Sequence, residues 1–130
     1  MTHEELKAAA VAMLDRAYVP YSHFPVGAAL ECSDGTVFTG CNIENASYTP
    51  TICAERTAVS KAVSEGHRDF VRIVIAGRSK DFCGPCGVCR QVLREFAPEL
   101  EIICLNGAGE ERVFTLPELL PHSFGPEYLL

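Results

Sequence analysis

The chain has 130 residues, 48% of them hydrophobic and 22% charged, without low-complexity stretches, repeats or linkers. One domain spanning residues 1–130 is expected, large enough to bury roughly two thirds of its unfolded surface. With 17 acidic against 11 basic residues, a net charge of −6 and no Lys/Arg run, the composition argues against nucleic acid and leaves a small molecule as partner; no apolar run approaches the ~20 residues of a membrane span.

Thr2-His3-Glu4-Glu5 has the form of a capping box, with Thr2 as N-cap. Leu6, Ala9, Ala10, Met13 and Ala17 recur at helical spacing, which predicts a helix over 3–18. Two prolines and four aromatic or imidazole rings from Tyr18 to Pro25 make a shaped loop. Val26, Ala28, Leu30 and Cys32 alternate as in a strand, Ser33-Asp34-Gly35 is a turn signal, and Thr36 to Ile43 reads as the second arm of a hairpin. A polar loop, Glu44 to Thr51, follows. Cys53 to Glu65 reads as a second helix with Ala54, Ala58, Val59, Ala62 and Val63 on its apolar face and Gly66 as its stop.

Val71 to Ala76 is nearly continuous in apolar residues, the pattern of a strand covered on both faces. A third helix is predicted from Pro85, with Val88, Val92 and Phe96 as its stripe and Pro98 as its end. Glu101 to Leu105 and Arg112 to Phe114 read as two more strands, and Thr115-Leu116-Pro117-Glu118 as a capping box opening a short last helix. The order α-β-β-α-β-α-β-β-α predicts an α/β fold with a central sheet covered by helices.

Seven cysteines, an odd number, and a polar N-terminus without a secretory leader point to a reducing, cytoplasmic compartment. Cys53 falls at the start of the second helix, and Cys86 and Cys89 in the first turn of the third. Three thiolates leave one corner of a tetrahedral zinc open to water, whereas a structural zinc takes four protein ligands. Helix N-termini offer free N–H groups and partial positive charge to such an anionic site. Arg56, three residues after Cys53, can hydrogen-bond a ligand sulfur, and Glu55, two residues after it, can act as a proton carrier at the open corner.

A closed reading stands beside this one. Cys83 could supply a fourth sulfur, leaving a structural zinc module without catalysis, and C-x-x-C pairs also serve as redox dithiols. Cys32, Cys41 and Cys104 lie in strand patterns and read as small buried hydrophobes. His3, His23, His67 and His122 have no metal-like spacing.

Cys53-Ala54-Glu55-Arg56-Thr57-Ala58 and Pro85-Cys86-Gly87-Val88-Cys89-Arg90-Gln91-Val92 resemble the two zinc motifs of the cytidine deaminases in their short homotetrameric form. Tyr21 to Ala29 resembles that family's approach to its first strand, Gly40 to Tyr48 its ribose loop, and Glu118-Leu119-Leu120-Pro121 with Ser123-Phe124-Gly125-Pro126 its C-terminal end. The resemblance covers nearly the whole chain. It implies a three-layer α-β-α sandwich with a five-stranded mixed sheet, and zinc-dependent hydrolytic deamination of cytidine and 2′-deoxycytidine in pyrimidine salvage.

By that resemblance Cys53, Cys86 and Cys89 bind Zn²⁺ and Glu55 shuttles protons. Asn42 and Glu44 hold the ribose hydroxyls, Phe24 packs on the pyrimidine, and Ala54 contributes backbone contacts to the base. Tyr48 and Phe124 match positions through which neighbouring subunits of a homotetramer complete each pocket. Cys83 departs from the family pattern. Relatives that deaminate blasticidin share the zinc motifs but, as a rule, lack the Asn-Ile-Glu-Asn loop and the Arg after Cys-Ala-Glu.

Overall fold

The capping box at Thr2 sets the first element of the computed structural model, which describes residues 1–130. Thr2 Oγ1 accepts from the Glu5 amide at 3.1 Å, and the Glu5 carboxylate accepts from the Thr2 amide at 3.0 Å. Helix α1 then runs His3–Ala12 and tightens into a 3₁₀ turn, Met13–Arg16, with Ala17 extended. The predicted helix to residue 18 is thus shorter. The Tyr18 backbone is claimed by the loop opposite, its N–H donating to Asn42 O at 3.0 Å, and Pro20 disfavours helical backbone before it.

Strands β1 (Val26–Cys32) and β2 (Val37–Cys41) form the hairpin, turning at Gly35 with φ +89°. Helix α2 (Ala54–Ser64), strand β3 (Phe70–Gly77), helix α3 (Gly87–Phe96), strands β4 (Glu101–Leu105) and β5 (Glu111–Thr115) and the short helix α4 (Leu116–Leu119) follow. The strand order is β2-β1-β3-β4-β5. Only β3 and β4 are parallel; the other neighbours are antiparallel, so the sheet is mixed. Parallel neighbours need a crossover, and α3 supplies it.

Side chains alternate across the sheet and so feed two cores. Ala29, Val74, Ala76, Ile103 and Leu105 face α1, meeting Leu6, Ala10 and Leu14. Ala28, Leu30, Ile73, Ile75, Ile102 and Cys104 face the opposite layer, meeting Ala54, Ala58, Val59 and Ala62 of α2 and Leu93 of α3. This is the expected three-layer α-β-α arrangement around a five-stranded mixed sheet. On α3 the buried stripe is Cys89 and Leu93, while Val88 is exposed. Of the predicted stripe, Val92 and Phe96 pack partly buried against this core and only Val88 faces solvent.

Two glycines set how closely helices approach the sheet. A Cβ on Gly27 would stand 2.1 Å from Ala10 O, and one on Gly40 would stand 2.3 Å from Ala54 O. Gly40 therefore lets the first turn of α2 lie directly on β2. No helix is long and apolar enough to cross a membrane.

Candidate metal centre

Cys53 and Cys86 each occupy the N-cap of a helix, α2 and α3, with extended backbone (φ −76°, ψ 157° and φ −69°, ψ 169°). Cys89 lies at the third position of α3, buried. The sheet order brings the two helix starts together. The sulfurs of Cys53, Cys86 and Cys89 lie within 4.8 Å of one another, Cys53 and Cys86 at 3.9 Å. Sulfurs each about 2.3 Å from a tetrahedral zinc stand about 3.8 Å apart, so the set fits a metal that accepts thiolates.

The electrostatics suit the same metal. Hydrogen bonding from Cys89, together with Arg56, pulls the Cys53 thiol down to about 5 against the cost of burial. Cys89 is pushed the other way, by its bond to Cys53 and by burial. The Arg56 Nη2 donates to Cys53 Sγ at 3.4 Å, which holds the guanidinium more firmly charged. Its Nε is buried with no partner.

Cys83 does not join the group. Its N–H donates to Leu105 O at 3.1 Å, and its side chain packs at the close of β3, beside Gly77. Burial pushes its thiol up to about 12. Its sulfur stands outside the cluster that the other three form, and the closed four-cysteine reading loses its last ligand. Cys32, Cys41 and Cys104 are buried in the strands as expected.

Glu55 is 3% exposed and sits in the first turn of α2. Burial, partly offset by its own backbone amide and raised further by Cys53, holds its carboxyl at about 7. A carboxyl of that acidity exchanges protons readily at neutral pH, as general acid–base catalysis requires. It opens on a cavity of about 190 Å³ with Cys53 and Cys86. Phe24, Asn42 and Ala54 line the same cavity, and Cys83 and Gly84 form part of its wall.

The other sequence-predicted residues surround this cavity unevenly. Asn42 clamps the chain into β1: its Oδ1 accepts from the Val26 amide at 2.9 Å, and its Nδ2 donates to Phe24 O at 2.8 Å. Glu44 faces a neighbouring hollow of about 340 Å³ with Tyr21, Ser22, Asn45 and Tyr48. Its carboxylate accepts from Ser22 Oγ and from the amides of Tyr21 (3.0 Å) and Ser22 (3.2 Å), and the hydroxyl bond foremost holds it below the usual carboxylate range. Tyr48 is 75% exposed with φ +64°, a left-handed backbone uncommon for a bulky residue. Phe124 is 54% exposed and stacks on Tyr128 with ring centroids 5.3 Å apart. Within one chain, neither ring lines the cavity of the sulfurs.

Sequence reasoning passed over Ser22 and Gly40. The Ser22 hydroxyl orients Glu44, and Gly40 seats the helix that carries Cys53 and Glu55. Its place in the Gly-Cys-Asn run was the only sign of the latter.

The family described as the cytidine and deoxycytidylate deaminase zinc-binding region matches residues 1–105. A curated cytidine deaminase of Sporosarcina psychrophila is 45% identical over 130 residues, covering 99% of this chain and 96% of that protein. That of Halalkalibacterium halodurans is 48% identical over 128 residues, covering 98% and 97%. Among solved structures, a cytidine deaminase from Burkholderia pseudomallei superposes with a TM-score of 0.91 at 48% identity, covering 95% of this chain and all of that one.

Proposed function

The chain belongs to the cytidine and deoxycytidylate deaminases, and from that premise we propose that it hydrolyses cytidine and 2′-deoxycytidine to the corresponding uridines with release of ammonia. One observation carries the reading: a buried carboxyl, Glu55, opens with two of the three clustered sulfurs on one cavity. Cys53, Cys86 and Cys89 hold zinc, which when bound lowers the pKa of water. Arg56 offsets the negative charge of the thiolates through Cys53.

The remaining chemistry is the protein's own. Glu55 accepts a proton from the attacking water and delivers it to N3 of the pyrimidine as oxygen adds to C4. It then takes the proton of the new C4 hydroxyl and gives it to the C4 amino group, so that the C4–N bond breaks, ammonia leaves and C4 becomes a carbonyl. Phe24, which lines the cavity, packs on the pyrimidine, and Ala54, first residue of α2, offers its backbone to the base. Asn42 and Glu44 hold the ribose hydroxyls; their present bonds to loop backbone support this by fixing both side chains before substrate arrives.

Tyr48 and Phe124 complete the pocket from neighbouring subunits of a homotetramer. Their exposure, shared with Tyr18, Tyr21 and Ile43, supports the assignment, since an isolated chain would leave these apolar rings and side chains in water. The enzyme works in the cytoplasm, in pyrimidine salvage.

The test is one assay with cytidine, deoxycytidine, CMP and blasticidin in parallel. Ultraviolet loss is expected with both nucleosides and with neither CMP nor blasticidin. Zinc-loaded protein that leaves both nucleosides untouched refutes the proposal.

A further inference from the structure

Acidic residues outnumber basic ones 17 to 11, yet two arginines that meet in one place have no carboxylate partner. Arg90 spends its Nε on Pro85 O and its Nη1 on Leu119 O, both at 2.8 Å. Arg112 forms no ion pair and lies with its guanidinium 4.7 Å from the centroid of the Phe82 ring. Both line a cavity of about 340 Å³ on the α3 side of the sheet, with Phe82, Phe114 and Leu119 as apolar walls.

The sheet register puts Arg112 opposite Cys104, on the same face, and Cys104 also lines the cavity. Burial and then the Glu55 charge push that thiol up to about 11, and the two guanidiniums oppose the push. Gly84 lines this cavity and that of the sulfurs alike, so the two hollows stand back to back across the Cys83-Gly84 segment.

A single cation–π pair occurs about once per 70–80 residues and signifies little alone. Here it is joined by a second unneutralised guanidinium and two more apolar walls, in a volume within the roughly 300–1,000 Å³ of small-molecule sites. Convergent guanidiniums select carboxylate or phosphate, and aromatic walls select a flat ring.

We propose that this cavity binds a small organic anion bearing one flat aromatic face. Arg112 takes the carboxylate or phosphate, Arg90 adds its charge from α3, and the ring packs against Phe82 and Phe114. An occupant there also bears on Arg90, which holds the carbonyl of Pro85, the residue immediately before Cys86.

The experiment titrates phenyl phosphate and benzoate, by calorimetry at low salt, into the zinc-loaded 130-residue chain. Inorganic phosphate supplies the charge without the ring, and benzamide the ring without the charge. Binding of at least one aromatic anion is expected in about the millimolar range, and which of the two binds identifies the anion. Both controls should bind at least about ten-fold more weakly, and Arg112→Ala should cost about ten-fold. Arg112→Lys should recover part of the loss, and added uridine should not displace the probe. Absence of binding up to about 10 mM, unchanged affinity in Arg112→Ala, or displacement by uridine overturns the proposal. Arg112 is an exposed residue of an edge strand, so its substitution spares the core, and circular dichroism checks that it does.

Discussion

Glu55 shows how one residue's environment sets its chemistry. A carboxyl in water ionises far below neutrality, but this one is 3% exposed and is held at about 7 chiefly by burial. Its neighbour Arg56 is turned to the sulfur of Cys53, leaving the acid to face the cavity. Glu55→Gln keeps shape and loses the exchangeable proton. Turnover of cytidine should fall by about 10²–10⁴-fold while metal content and Tm stay near those of the parent protein. Retained turnover with full zinc would show that Glu55 is not the proton carrier.

At the scale of elements, the centre depends on two helix starts and on what anchors them. Gly40 seats α2 on β2, with only 2.3 Å between its missing Cβ position and Ala54 O. Gly40→Ala must push the first turn of α2 away, carrying Cys53 and Glu55 with it. An overpacking cost of about 1–3 kcal/mol is expected, read as a lowered Tm, together with weaker zinc binding in a competition titration with a chelator. An unchanged Tm would show that the contact relaxes freely. The C-terminal segment hangs on α3: Arg94 Nε donates to Ser123 Oγ at 2.6 Å, its Nη2 pairs with Glu127, and Gln91 donates to Phe124 O at 3.0 Å. Arg94→Ala should accelerate amide exchange over residues 123–130. The hydrogen bond from Arg94 depresses the Glu127 carboxyl below its ordinary 4.5. The folded form thus prefers the ionised acid, and this contribution is complete above pH 4.5 and lost as pH falls through the depressed value. Acidification below pH 4.5 should therefore mimic Arg94→Ala in the same exchange measurement, and equal protection at pH 7 and pH 3 would contradict the clamp.

Across the whole molecule, the sheet order converts three cysteines spread over 37 positions into one cluster. β3 and β4 run side by side in parallel, and the loop leaving β3 carries Cys83 and Cys86 back over their ends to α3. A metal there would tie α2 to α3 through three sulfurs that otherwise meet only in weak thiol contacts. Removing zinc with a chelator should abolish turnover and lower Tm, and re-addition of one equivalent per chain should restore both. An unchanged Tm on full removal, verified by elemental analysis, would mean the metal is not part of the fold's stability.

Much of this was legible along the chain because the signals are local. Capping boxes at Thr2 and Thr115, the alternation of β1 and the apolar run of β3 each lie within a few residues. So do the spacings that join Cys53 to Glu55 and Cys86 to Cys89. Their physics is short-ranged: N–H groups at a helix start, or side chains alternating on a strand. The sequence alone thus determined the elements and marked the cysteines that cluster, with an acid beside the first of them. Tertiary structure decided what depends on approach between distant segments. It left Cys83 outside the cluster, turned Cys89 inward and Val88 outward on α3, seated α2 through Gly40, and put Glu44 in a hollow beside the cavity. These outcomes rest on separations of a few ångströms between segments tens of residues apart, and no local pattern encodes such distances.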